Sequence, residues 1–432
     1  MSQAAAGDHP RILGNRPASA GGADTVPSMR STEVRAIGEL AGRTLAGAGT
    51  MVRDLHMAVA ERAFTAAGPG GAPARLVHDG VAETLYGGVR TALAALPRGA
   101  GSAIARSALD DAPALTQSPR GSLALAALNA YVGDALVADD SPLALAMTLR
   151  HRGADLPLEP EALADALPDA GARVAIFVHG LGETDASWRL RADAQRPGYG
   201  ACLRRDLGHT PIELRYNTGL HISDNGRALA ALLEQLHDSW PVAIEEIVVV
   251  GHSMGGLVAR SACHYASSED HAWTQGVRHV FCLGSPHLGA PLEKGFNALG
   301  WALRRVPETR PLANLLGVRS AGIKDLRYGS CVEEDWCDCD PDELLTDRCH
   351  DVPFLPGARF YFVAATLSRR PGDPLGAILG DLLVRVPSAS GAGRNRKIGF
   401  AIEDGHHVGG LTHLDLLNHP AVYDQIRAWI ER

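Results

Sequence analysis

Apolar positions along the chain change their spacing near residue 170. From about Thr32 to Leu167 they recur at helical intervals. Val77, Val81, Leu85, Val89 and Leu93 fall every four residues, which predicts one long helix with an aliphatic stripe. Leu125, Leu128, Val132 and Leu136 predict another, and the clusters Gly68-Pro69-Gly70-Gly71, Pro97-Arg98-Gly99 and Gln117-Ser118-Pro119-Arg120-Gly121 punctuate them. Beyond Leu167 short continuous apolar runs take over: Arg173–Val178, Pro211–Tyr216, Ile247–Val250, Val277–Leu283 and Arg359–Ala365. Helical patterns separate several of these, as in Asn225–His237, where Leu229, Leu232, Leu233 and Leu236 share a face. Apolar strands alternating with helices predict a mostly parallel sheet covered on both faces, with ligands at the carboxyl ends of the strands.

This organisation reads as a disordered leader (1–30), an α-helical region (31–170) and an α/β domain (171–432). An insertion at about 294–354, between the fourth and fifth strands, is large enough to act as a cap or lid. Phe296, Leu299 and Leu303 share a helical face there, and with Trp301, Leu312, Leu315 and Leu316 they are candidates for its underside. The helical region is expected to be packing scaffold. Docking of residues 31–167 on a lipid surface or a protein is not favoured, because interfacial helices set a Lys/Arg-rich face against Trp or Phe and this stripe is small and aliphatic.

Composition narrows the classes. The chain carries 41 basic and 49 acidic residues, a formal charge of −8, without a basic block, so nucleic acid is not an expected partner. Seven cysteines, an odd number in a long chain, suit free thiols in a reducing, cytoplasmic setting. The first 29 residues lack the apolar core of a signal peptide, and no stretch approaches eighteen uninterrupted apolar residues, so no bilayer-spanning helix is expected.

The chemistry centres on Ile247-Val248-Val249-Val250-Gly251-His252-Ser253-Met254-Gly255-Gly256. G-x-S-x-G alone is weak evidence; between a β-branched strand and a helical segment, it is the context in which a serine becomes a nucleophile. Attack on an acyl carbonyl needs two N–H donors for the oxyanion. Met254 at the helix N-terminus and Leu181 in His179-Gly180-Leu181-Gly182, after the first strand, are the candidates. In the chain order Ser, acid, His, the base falls to His413, which opens the last helical pattern, Leu414–Ile430; His406, His407 and His419 compete. Asp381 is the preferred acid and Asp373, in a turn-forming Gly-Asp-Pro, the competitor. His179, Gly180, Asn217, His252 and His287 lie on strand-end loops and are candidate substrate-site or scaffold residues.

Residues 172–430 resemble the lipase and GPI inositol-deacylase branch of the α/β-hydrolases. The resemblance rests on Phe177-Val178-His179-Gly180-Leu181-Gly182, on Gly251–Arg260, on Gly284-Ser285-Pro286-His287-Leu288-Gly289-Ala290-Pro291, on Asp381-Leu382-Leu383-Val384 with Ser388-Ala389, and on His413-Leu414-Asp415-Leu416-Leu417. It implies an α/β-hydrolase fold and a serine ester hydrolase of carboxylesterase or lipase type that needs no cofactor and acts on an acyl-ester or lipid-like substrate. An acyltransferase or amidase could use the same residues, and an inactive hydrolase fold docking through its helical half is the non-enzymatic alternative. Where the family's acid motif usually reads Asp-Gly, Leu382 stands here. Residues 1–170 lie outside the resemblance, and GPI anchors are not the expected substrate.

Cys331, Cys337, Cys339 and Cys349, followed by His350, sit in an acidic stretch without a C-x-x-C pair. A solvated acidic loop is expected there rather than a metal site.

Overall fold

The computed structural model describes residues 29–107, 112–340, 343, 347–369, 381, 383–393 and 396–432. The expected leader therefore lies, apart from Met29 and Arg30, outside the described residues, as does Asp373.

Among the described residues eight strands form one sheet in the order β2-β1-β4-β3-β5-β6-β7-β8. They are β1 (Thr148–His151), β2 (Ala154–Asp155), β3 (Arg173–Val178), β4 (Thr210–Arg215), β5 (Glu246–His252), β6 (Val277–Leu283), β7 (Arg359–Thr366) and β8 (Gly405–Gly409). From β4 to β8 all pairings are parallel; β1 runs antiparallel to both β2 and β4. The five expected strands are β3 to β7. The sheet starts earlier than the pattern shows, inside the stretch expected to be helical. The β1 strand, Thr-Leu-Arg-His, has no apolar run; its buried Arg150 faces Asp185 instead, with Nε 3.0 Å from the carboxylate.

Period-two alternation with apolar residues on both faces explains the continuous runs. Val174, Ile176 and Val178 of β3 and Ile247 and Val249 of β5 join one core, with Leu229, Leu233 and Leu236 of a helix over Ile222–Ser239 and Leu257 and Val258 of one over Met254–Ser268. Ala175, Phe177, Val248 and Val250 face the other core, with Leu203 of a helix over Tyr199–Leu207 and Val422, Ile426 and Trp429 of one over Pro420–Ile430. This layered, mostly parallel sheet is the α/β-hydrolase fold. The last helical pattern is split: a 3₁₀ turn, His413–Leu417, precedes a helix that begins only at Pro420, whose ring presets the first helical residue.

In the N-terminal region three helices follow one another: α1 (Ser31–Ala67), α2 (Ala72–Ala105) and α3 (Pro119–Ala138). The first two pack along each other as a hairpin, at 37 and 34 residues about 50 Å long. The aliphatic stripe is not what joins them. Val77, Val81, Leu85 and Val89 are exposed. The helices meet instead through small residues: a Cβ on Gly38 would lie 2.9 Å from the Gly101 Cα. Such faces let backbones approach and leave the larger side chains outside.

The α3 helix is instead built into the α/β half. Asn129 Nδ2 donates to the carbonyls of Leu125 and Leu143, Ser320 Oγ to Ala130 O, and Asn217 Nδ2 to Gly133 O. By length and composition α3 is apolar enough to cross a membrane, against the expectation that no segment is. Asn129 and Asp134 interrupt its apolar run without lowering the average enough, and here Leu125, Ala126, Asn129, Ala130 and Gly133 are buried in protein contacts.

Candidate active site

Ser253 stands between β5 and the helix over Met254–Ser268 with φ 53° and ψ −123°, a left-handed conformation that a non-glycine residue adopts only when its surroundings impose it. Its N–H donates to Leu283 O of the neighbouring strand (2.8 Å) and its carbonyl accepts from Gly256 N–H (3.1 Å). The turn needs glycine because a Cβ on Gly255 would overlap Val178 O. Met254 is the first helical residue, so its N–H has no acceptor one turn back. Across from it, Leu181 follows Gly180, where a Cβ would come within 2.9 Å of the Ser253 Cβ. The Leu181 N–H has no acceptor among the described residues.

His413 is buried, and its Nδ1 lies 2.7 Å from Asp381 Oδ2. The His413 N–H donates to Asp381 O (3.1 Å), fixing backbone and ring together. Asp381 is also buried, and its Oδ1 accepts from the N–H groups of Leu383 (3.0 Å) and Val384 (2.8 Å). A carboxylate at Nδ1 selects the tautomer protonated there and leaves Nε2 with the lone pair. The His413 Nε2 is buried without a partner among the described residues. Of the competing histidines, His407 Nε2 is engaged with Thr366 Oγ1 (3.0 Å) and His406 packs edge-on against Trp429.

Ser253 and His413 line one cavity of about 700 Å³. Its walls are mainly apolar, with Leu123 and Tyr131 of α3, Leu181, Leu190, Phe296 and Leu417 among them. The insertion folds as helices over Pro291–Arg304, Arg310–Gly317 and Ala321–Asp325. Of its expected underside only Phe296 lines the cavity; Leu299, Trp301 and Leu312 are exposed, and the side chains of Leu315 and Leu316 lie outside the described set.

His179, Gly180, Asn217, His252 and His287 are not among the lining residues. They brace the walls. His179 stacks on Tyr216 (4.5 Å), whose hydroxyl donates to His179 O (2.7 Å), and burial holds its pKa below the usual histidine value. Asn217 Oδ1 accepts from Gly219 N–H while its Nδ2 reaches α3. His287 is fully buried beside Arg260, 3.2 Å from Nδ1; burial and that guanidinium depress its pKa strongly.

Glu183 is the residue that sequence reasoning missed. Its Oε2 accepts from Gly180 N–H (2.9 Å) and its Oε1 lies 2.8 Å from His252 Nδ1, while His252 Nε2 donates to His413 O (3.1 Å). One largely buried pair thus ties the Gly180–Leu181 loop, the serine turn and the histidine loop together. An acid three residues after Gly180 was the available signal. Burial raises the Glu183 pKa, but His252 and the Gly180 N–H outweigh it and bring it to about 2. Burial lowers His252, but the Glu183 charge outweighs it and the net shift is upward.

The signs set a pH window. Glu183, lowered in the folded state, contributes stability above its ordinary 4.5 that is lost as pH falls toward 2. His252, raised, contributes stability below its ordinary 6.5 that is lost as pH climbs through its folded value. The Tm difference between the native protein and Glu183→Gln is therefore expected to be largest between pH 4.5 and 6.5 and to shrink in alkali. Thermal melts across pH check this; a difference independent of pH would contradict the pair.

The acidic stretch is solvated in part, as expected from its composition, with Glu334, Cys337, Asp338 and Asp340 exposed, but it is anchored by a buried segment. Cys331 and Asp335 are buried, and Asp335 accepts from the N–H groups of Cys331, Val332 and His350, which is how a buried carboxylate is tolerated.

Residues 217–341 match the family of the PGAP1-like alpha/beta domain. The chain thus carries a PGAP1-like segment on an α/β-hydrolase fold. The match spans Ser253 and the insertion but stops short of Asp381 and His413. No curated protein sequence matches the chain. Among solved structures it is similar to the mature lipase BlEst2 of Bacillus licheniformis (19% identity over 60% of this chain and 91% of that one, TM-score 0.40). It is also similar to a thermophilic esterase from Thermogutta terrifontis (13%, 61% and 90%, TM-score 0.32) and to the phospholipase PlaB from Legionella pneumophila (17%, 51% and 45%, TM-score 0.30).

Proposed function

We propose that the protein is a serine carboxylic-ester hydrolase acting on an aliphatic acyl ester. The observation that carries this reading is a carboxylate-held histidine with an unpartnered Nε2 sharing an apolar cavity with a serine in a strained strand–helix turn. Ser253 Oγ attacks the acyl carbon, and His413 Nε2 takes its proton and returns it to the leaving alkoxide. Asp381 holds the ring and stabilises the imidazolium, and the N–H groups of Leu181 and Met254 receive the oxyanion. Water then enters by the same base, releasing the acid.

The apolar walls favour chain length. Each methylene taken into them is expected to raise kcat/KM by up to about fourfold, the equivalent of about 0.8 kcal/mol, until the cavity is filled. A series of p-nitrophenyl esters from acetate upward, with Ser253→Ala run in parallel, tests the reading. A flat profile, or hydrolysis retained by the alanine variant, would count against it.

A further inference from the structure

One wall of the cavity carries charges that do not balance. Arg319 and Glu293, both from the insertion and both more than nine-tenths buried, line it beside Phe296 and Ile323. Arg319 Nη1 donates to Glu293 Oε2 (2.9 Å). A second buried guanidinium, Arg327, reaches the other oxygen of the same carboxylate through Nη2 (3.4 Å). Among the described residues two cations thus share one anion at ion-pair distance, leaving a surplus positive charge on side chains that are themselves buried. Arg327 has further acceptors, in the Asn297 side-chain oxygen and Glu343 O. Arg319 has fewer acceptors: among the described residues only Glu293 accepts from it, and its Nε, like that of Arg327, is buried with no partner there. Glu293 also lies in the first turn of the 14-residue helix over Pro291–Arg304, whose N-terminal dipole adds positive potential.

The other charges at the cavity are matched among themselves. Glu183 faces His252, and Asp381 is held by His413 and two backbone N–H groups. A contact built only to hold the insertion would need one guanidinium per carboxylate; a buried surplus is unfavourable until another anion joins it. The rest of the lining is mainly aliphatic, so the occupant that complements both is amphiphilic.

We infer that the Arg319 wall is an anion subsite, and that the substrate is an acyl ester that also bears a phosphate or carboxylate group. This rests on the ester-hydrolase reading for the reaction, but not for the binding. A guanidinium offers such an oxyanion a charge-assisted fork that a neutral ester cannot use.

Titration calorimetry on Ser253→Ala separates the two. Decyl phosphate and decyl hemisuccinate are expected to bind at least about tenfold more tightly than decanol, as charge-assisted hydrogen bonds imply. Inorganic phosphate, lacking the chain, is expected to bind far more weakly than decyl phosphate. Arg319→Met should erase the anionic advantage and Glu293→Gln, which adds a net positive charge, should enlarge it; circular dichroism identifies a variant that fails to fold, and the Glu293→Gln arm then decides. Equal binding of decanol and the two anions, an advantage that survives Arg319→Met, or one that Glu293→Gln fails to enlarge, overturns the subsite. Anion binding of the expected pattern in a protein that hydrolyses no ester would keep the subsite and remove the ester reading instead.

Discussion

Ser253→Ala is expected to lower ester turnover on the order of a million-fold and to abolish labelling by a fluorophosphonate probe that marks the native protein stoichiometrically. Without the hydroxyl no acyl-enzyme can form, and what remains is whatever rate the oxyanion donors and binding supply to water. His413→Ala should lose about as much, and the double variant no more than either single one, because nucleophile and base act as a unit. His407 and His406 lie on β8, at Gly405–Gly409, whereas His413 is the one that shares the cavity with Ser253. Should His413→Ala keep near-native turnover while His407→Ala abolishes it, the base has been misplaced. Equal labelling of the native and Ser253→Ala proteins would place the nucleophile elsewhere.

Much of the α/β half could be read from the sequence because its strands are buried on both faces. Residues such as Phe177 and Val178, or Val249 and Val250, must both be apolar when each faces a different core. The β1 and β2 strands escaped because an edge hairpin can be built from Arg150 and Asp155, with ion pairs where a central strand has aliphatic contacts. The helical stripe misled in the opposite way. Helical periodicity marks which residues share a face but not what that face meets, and the α1–α2 pair is closed by Gly38 and Gly101, whose lack of side chain leaves little trace in a hydrophobic pattern.

The site divides along similar lines. Ser253 stands between β5 and the helix that follows it, His413 opens the 3₁₀ turn His413–Leu417, and Asp381 and His413 meet at hydrogen-bond distance across 32 residues of sequence. Their pairing could be expected because the fold orders such residues along the chain. Glu183 had no such rule. Its importance comes from a buried histidine on another strand, a contact between loops that spacing alone does not encode. The same holds for Arg319, which looks like an ordinary surface arginine until Glu293 and Arg327 are seen beside it.

Asp381→Asn is expected to leave the fold intact and to lower kcat by about ten-thousandfold. The argument turns on what the amide can satisfy. Asp381 Oδ1 accepts two backbone N–H groups, from Leu383 and Val384, so an asparagine oxygen will occupy that position to keep both bonds. Its NH₂ then replaces Oδ2 and faces His413 Nδ1, where the carboxylate now lies at 2.7 Å. A donor there forces Nδ1 to accept, the ring proton moves to Nε2, and the lone pair that Ser253 needs is gone. Turnover should therefore fall steeply while the Tm changes little, and the rate of fluorophosphonate labelling should fall with turnover. Asp373→Asn is the matched control and should remain close to native. If Asp381→Asn stays within about tenfold of native kcat, too small a loss for a wrong tautomer, and Asp373→Asn collapses, then the 2.7 Å contact positions the histidine loop and the acid lies elsewhere.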